Sequence, residues 1–211
     1  MKVNVINNVG KDCNVTVNEK NDGIEIVINL NHSEFKLSNK LKQGDMFKDI
    51  DGDEYILWYY LENGDAVVIR KENICEMKFG NENNNYGISE IDKYFTDTYL
   101  KELEAKFGAE NIAEHEVNLL SLDGENDYGK LTRKVSIPTL DEYRMHKREI
   151  KKHIKKWFWL CTPNSTPSGC GSGSVRCVDS DGYVGYGWYG YVCGVRPRFV
   201  LKSTIFESCK E

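Results

Sequence analysis

Four of the seven cysteines, Cys161, Cys170, Cys177 and Cys193, fall between Trp157 and Leu201, and thiols are the side chains here best suited to nucleophilic, redox or metal chemistry. Their separations of 9, 7 and 16 positions contain no C-x-x-C pair, so no zinc site is expected. The simpler reading is that they pack as small buried hydrophobes. An odd total leaves at least one thiol free or bonded to another chain. Met1 to Gly10 lacks the basic start and apolar core of an export signal, so the chain is expected to be made in the cytosol with reduced thiols. Asp179-Ser180-Asp181-Gly182 has two carboxylates at calcium-loop spacing but not the later ligands or the closing Glu, and a plain Asx turn accounts for it. His146 and His153 are seven apart, which is not the spacing of a zinc pair on a helix, and both are expected on the surface. Asp49, Asp51, Asp53 and Glu54 read as a solvated acidic turn. No metal and no cofactor is predicted.

Composition narrows the class. The chain has 211 residues, 40% hydrophobic and 29% charged, with a net charge of -5. That suits one sizeable domain with a small appendage, at roughly 100 to 200 residues per domain. No stretch approaches the ~18 consecutive apolar residues of a membrane span, so no membrane insertion is expected. The charge is unevenly placed. Residues 1–140 carry 26 Asp and Glu against 16 Lys and Arg, whereas 141–211 carry 7 against 12. From Trp157 to Leu201 there is no Lys or Glu, yet the stretch holds 8 of the 18 Gly and 3 of the 4 Trp.

The elements that must position these residues follow from periodicity. Val3 and Val5, Val15 and Val17, then Ile24, Ile26 and Ile28 alternate as strands, with a turn at Asn18 to Gly23. Residues 1–40 are therefore read as a β-rich attachment or oligomerisation segment, with 39–45 a linker. Residues 41–205 form the main domain and 206–211 a tail. Tyr55 to Tyr60 and Ala66 to Arg70 flank Glu62 to Asp65 as an antiparallel pair, and Phe79 to Gly87 is a loop. Ile91, Phe95, Tyr99, Leu103 and Phe107 mark a helix capped by Ser89 and stopped by Gly108. His115 to Leu122 reads as a strand. Thr139 and Glu142 have capping-box spacing before a second helix, whose apolar stripe is Leu140, Tyr143, Ile150, Ile154 and Trp157. Its other face carries Arg144, Lys147, Arg148, Lys151, Lys152, Lys155 and Lys156. Such a face could hold a polyanion, but the acidic balance of the whole favours a solvated surface and argues against nucleic acid. Trp157 to Leu160 reads as a buried strand, 162–174 as a loop, and Val175 to Val178 and Val195 to Leu201 as strands. Between them Tyr183, Tyr186, Trp188, Tyr189 and Tyr191 alternate with Gly185, Gly187 and Gly190 in a pattern that neither helix nor regular strand explains.

In order along the chain, "LKELEAKFG", "HEVNLLSLDG", "IPTLDEYR", "WFWLCTP", "VRCVDSDGYV" and the terminal "GVRPRFVL" are recognisable landmarks. Over about residues 44 to 203 they resemble a phage- and prophage-associated domain family of unassigned function, found in low-GC Gram-positive bacteria. That family is similar in turn to the C-type-lectin fold of formylglycine-generating enzymes and of variable proteins of diversity-generating retroelements. The resemblance implies an α+β, C-type-lectin-like fold, with two helices flanking a small, mixed, mostly antiparallel sheet and long C-terminal loops on display. Trp157 and Trp159 become framework, Arg196 ties the last loop to the core, and Pro197 sets the entry to the final strand.

Lectin-type folds bind through the loops before their last strands, here Asp179 to Cys193. The resemblance therefore implies a non-catalytic recognition module whose ligand-binding residues are Asp179, Tyr183, Tyr186, Trp188, Tyr189, Tyr191 and Cys193. The partner is expected to be a protein or glycan. Tyr and Trp supply rigid contact area at low entropic cost, and Gly lets a ligand approach. In retroelement-diversified relatives, adenine-rich Asn codons vary to Tyr, Asp, Ser, Gly or Cys but never to Lys, Glu or Trp, which matches this stretch and leaves Trp188 as framework. The alternative is that the aromatics only pack over a glycine-rich turn. Two other functions remain open. One is a structural virion component, or homo-oligomer, with no ligand of its own. The other is a copper oxidase built on Cys177 and Cys193, although neither matches the enzyme motif and no His or acid sits beside them in the sequence.

Overall fold

The computed structural model describes the backbone of β1 (Cys13–Lys20) and β2 (Gly23–Leu30) and all of residues 35–206. Two compact units divide at 35/36. In the first, β1 and β2 form an antiparallel hairpin that brings Lys20 opposite Gly23, so the turn is tighter than the expected Asn18 to Gly23. Val3 and Val5 lie outside the described residues.

The second unit is α+β, with two helices and mostly antiparallel sheets. Its strands are β3 (Met46–Lys48), β4 (Glu54–Tyr60), β5 (Ala66–Arg70), β6 (Cys75–Lys78), β7 (Ile112–Ala113), β8 (His115–Asn118), β9 (Lys130–Arg133), β10 (Val135–Ser136), β11 (Phe158–Pro163), β12 (Ser174–Val178), β13 (Val184–Trp188), β14 (Val192–Val195) and β15 (Arg198–Leu201). One sheet has the order β10-β15-β5-β4-β3 with β7 also on β15, a second has the order β13-β12-β11-β14-β6, and β8 pairs with β9 alone. Within these sheets only β11 and β14 run parallel.

Helix α1 comprises Glu90–Tyr94, a wider turn at Phe95–Tyr99 and Leu100–Phe107. Its buried residues Ile91, Phe95, Tyr99, Leu103 and Phe107 repeat every fourth position. On a regular helix a strict four-residue repeat drifts by about 40° per step. The i→i+5 turn in the middle takes up part of that drift. Ser89 Oγ accepts the N–H of Asp92, and Gly108, at φ +85°, ends the helix.

Helix α2 (Leu140–Ile150) opens with a full capping box, since Thr139 Oγ1 accepts from Glu142 N while Glu142 returns a bond to Thr139 N. The helices cover opposite faces of the first sheet. Tyr55 meets Phe107 of α1 at 5.3 Å between ring centroids. Ile56, Trp58, Val67, Ile69 and Val200 share one core with Leu140, Tyr143 and Ile150 of α2 and with Phe158, Leu160 and Val178 of the second sheet. Burying each such side chain contributes roughly 1.5–3 kcal/mol, so α2 is the layer joining the sheets.

Several expectations change. The stretch 39–45 is no linker, because Gly44 N donates to Leu57 O and Leu57 N donates to Asp45 O, which extends the β3–β4 pairing. The strand expected over His115 to Leu122 stops at Asn118. The α2 stripe ends earlier too: after a 3-10 turn at Lys151–His153, Ile154 stays in the core, whereas Trp157 is half exposed because β11 reverses its direction. His146 is no free surface residue. It stacks on Tyr59 at 3.9 Å, and its carbonyl, at a kink in α2, accepts Trp58 Nε1–H at 2.8 Å. The closing strand expected over Val195 to Leu201 breaks at Arg196-Pro197, because Pro197 has no N–H for a ladder; β14 and β15 belong to different sheets.

The acidic turn is a structural knot rather than a solvated loop. Asp49 is buried, accepts from Asp51 N, Asp53 N and Tyr55 Oη, and pairs with Lys106 Nζ at 3.0 Å. Lys106 also reaches Asp51 and Asp53, and Arg70 pairs with Asp53 at 2.9 Å. Hydrogen bonds from Arg70 and then Lys106 hold the Asp53 carboxyl down at about 2. Its stabilising share is therefore complete above the ordinary carboxylate pKa and is lost as pH falls from about 4 to 2. Lys106→Met is expected to cost about 2–4 kcal/mol in urea unfolding at neutral pH, mainly by leaving Asp49 buried without its cation. The gap from wild type should narrow as pH falls from about 4 to 2, as Asp53 protonates.

Candidate functional site

The middle of the aromatic stretch, Val184–Trp188, is a regular strand after all. β13 pairs antiparallel with β12 from Val178↔Val184 to Ser174↔Trp188 and forms the edge of the second sheet. The hairpin turn is set by Asp179, whose Oδ1 accepts the N–H groups of Asp181 and Tyr183, each at 2.9 Å, while Gly182 takes φ +83°. This is the Asx turn expected from the sequence. Oδ1 of Asp179 thereby serves the turn. Tyr143 Oη anchors the hairpin to α2 through Gly182 O at 2.7 Å.

The glycines explain the odd pattern. Side chains alternate across a strand, and the alternate positions Gly185 and Gly187 face the indoles of β11. A Cβ on Gly187 would lie 3.0 Å from Trp159 Cη2, and one on Gly185 would lie 3.7 Å from Trp157 Cζ3 and from Cys177 Sγ. Gly190 makes room for the Trp188 ring in the same way. The glycines therefore answer to packing within the protein, where the sequence suggested room for a ligand.

What remains outside is aromatic. Tyr183 is 72% exposed, Tyr186 65%, Tyr191 62% and Trp188 49%, joined by Val192 at 61% and Trp157 at 50%. Trp188 stands 4.9 Å from Tyr189 and 5.7 Å from Tyr191 between ring centroids. Arg176 lies over the Tyr186 ring at 5.7 Å and donates to Asn164 Oδ1. Burial disfavours its charge, and none of the described carboxylates forms an ion pair with it.

Not every residue expected at the site is displayed. Tyr189 is half-buried, and its backbone bonds to Gly173, Phe79 and Gly80, which makes it frame. Cys193 is half-buried in β14 opposite Met77. Trp159 is buried and donates Nε1–H to Met77 O at 3.1 Å, whereas Trp157, expected to be buried framework, joins the exposed set. Sequence reasoning missed Arg176, Trp157 and Val192. Only the alternation of β12 could have placed Arg176 on the Tyr186 side.

The thiols are poorly placed for nucleophilic work. Burial pushes Cys177 up to about 11, and burial followed by the neighbouring Cys177 pushes Cys193 up to about 12. Both are protonated at neutral pH, the opposite of an activated thiolate. Among the described residues no group of three or more His, Cys, Asp or Glu is placed to hold a metal ion. Also among them, no helix is long and apolar enough to cross a membrane. On the basic face of α2, Arg144 pairs with Asp141, and beyond the helix Lys155 pairs with Glu72 and Lys156 with Glu76; Lys147, Arg148, Lys151 and Lys152 are exposed.

Comparison with protein-family models, curated proteins and solved structures finds no match to this chain. The site's own geometry is the guide. Gly187→Ala should destabilise by about 1–3 kcal/mol, because the buried Trp159 ring cannot yield freely, and Gly185→Ala by clearly less. Equal effects in thermal unfolding would show that the indoles do not set the glycine pattern.

Proposed function

We propose that this is a non-catalytic recognition module of C-type-lectin-like fold, carried by a phage or prophage, which binds a host-surface protein or glycan. The contact surface is the edge of β13 and its flanks: Tyr183, Tyr186, Trp188 and Tyr191, with Arg176 added. One observation carries the reading. Tyr186 and Trp188 on the edge strand β13, with Tyr183 and Tyr191 just beyond its two ends, are aromatic side chains each about half exposed or more. A soluble monomer rarely shows such a cluster without a partner for it, and the pairing of flat rings with an uncompensated guanidinium suits sugars and polar peptide groups alike. Tyr183, Tyr186 and Tyr191 project without supporting the core, so they are the positions at which retroelement diversification would act at least cost. The N-terminal hairpin would attach the domain to a virion component or to further copies of itself.

The test uses labelled full-length protein and intact cells of a low-GC Gram-positive host. Serine at Tyr183, Tyr186 and Tyr191 together should leave the melting temperature near wild type and weaken cell binding at least about tenfold, the loss of roughly one or two binding hot spots. Treating the cells with periodate or with protease then separates a glycan from a protein receptor. Undiminished binding by the triple variant would remove the aromatic edge from the account.

A further inference from the structure

A second feature lies away from the aromatic edge and does not depend on its role. Where β5 leads toward β6 and β14 toward β15, a cavity of about 460 Å³ opens, lined by Arg196, His153, Lys155, Lys156, Glu72 and Glu76 among others. Its size falls within the usual range of small-molecule sites. Arg196 is only 1% exposed. A guanidinium has five N–H donors. Nε and Nη2 of Arg196 donate to the carbonyls of Arg70 at 2.7 Å and Lys71 at 2.6 Å, while Nη1 donates to no described residue. None of the described carboxylates forms an ion pair with it. Glu72, which attracts it, is tied to Lys155 at 2.8 Å, and Glu76 is tied to Lys156 at 2.9 Å.

A buried cation without a counter-ion is costly. Burial brings the Arg196 guanidinium down to about 10. His153, which also lines the cavity, has Nε2 buried with no partner. Of the charged side chains lining the cavity, three are cations and two are carboxylates, which leaves one positive charge in excess. We propose that this cavity binds a small oxyanion, a carboxylate or phosphate group, with Arg196 Nη1 as its charge partner and His153 Nε2 as its second donor. The guanidinium fork suits either group. Lys155 and Lys156 stand at the rim in exposed pairs that hold weakly, so either ammonium can turn to a second charge on a larger ligand.

His153 also supplies a readout. Burial and then Lys152, Arg196, Lys71 and Lys155 push its pKa down, and Glu72 and Glu76 also line the cavity. A bound anion reverses the sign of the nearest field and raises it, so binding tightens as pH falls.

The experiment is a titration of the full-length protein with sodium acetate and, separately, inorganic phosphate. It is run near pH 6 at ionic strength held constant with chloride, while the arginine N–H and histidine ring signals are followed by NMR. At least one anion should give a single saturable transition with Kd on the order of 1 mM, accompanied by a rise in the His153 titration midpoint. Tighter acetate binding assigns a carboxylate ligand, and tighter phosphate binding assigns a phosphate. His153→Phe, checked by thermal unfolding, should bind about fivefold or more weakly. Responses that rise linearly with both anions, or an unchanged His153 midpoint at saturation, overturn the proposal, and so does unaltered affinity in a folded His153→Phe.

Discussion

The structure turns on one buried guanidinium. The chain crosses between the two sheets twice in neighbouring places, from β5 to β6 after Arg70 and from β14 to β15 at Arg196-Pro197. At such a crossover the backbone leaves one ladder before it joins the next, so its polar groups need other partners. Arg196 supplies them, donating to the carbonyls of Arg70 and Lys71 while its plane lies 5.4 Å from the Phe158 ring. Backbone bonds from Ile74 N to Val195 O and from Arg70 N to Pro197 O close the junction on either side. The apolar layer around α2 joins the same two sheets from one face.

The aromatic edge follows from that frame. Fixing β14 beside β11 brings Trp157 and Trp159 beneath the next hairpin, and the indoles then demand glycine at Gly185 and Gly187. The same alternation sends Tyr186 and Trp188 to the other side of β13, beyond the reach of α2, where water or a partner must cover them. Recognition and packing are thus two faces of one strand. The acidic knot does similar work at the far end of the first sheet, where Lys106 from α1 neutralises a turn that the sheet alone could not hold closed.

How much of this could be read from residues depended on range. The caps at Ser89 and Thr139, the stop at Gly108, the β4–β5 pair and the Asx turn at Asp179 are settled by neighbours within a few positions, and all were legible. What failed depended on distant partners. The acidic turn looked solvated because Lys106 is more than fifty residues away, and the apolar count of Trp157 could not reveal a chain reversal after Ile154. The strand in Tyr183 to Tyr191 was hidden because period two was carried by glycines, whose hydropathy says nothing about burial. Tyr183, Tyr186, Trp188 and Tyr191, singled out by the sequence, are each about half exposed or more. Tyr189 and Cys193 are drawn into the frame instead, by backbone bonds and by β14–β6 pairing.

The most direct test of this account is amide hydrogen exchange in Arg196→Met, which keeps an unbranched stem but removes every donor. The amides of Arg70, Ile74 and Gly194 should lose protection together with β5, β6, β14 and β15, so that strands of both sheets weaken as one unit. Loss confined to β14 and the adjoining turn, with β5 and β6 still protected as in wild type, would contradict a junction held by that side chain.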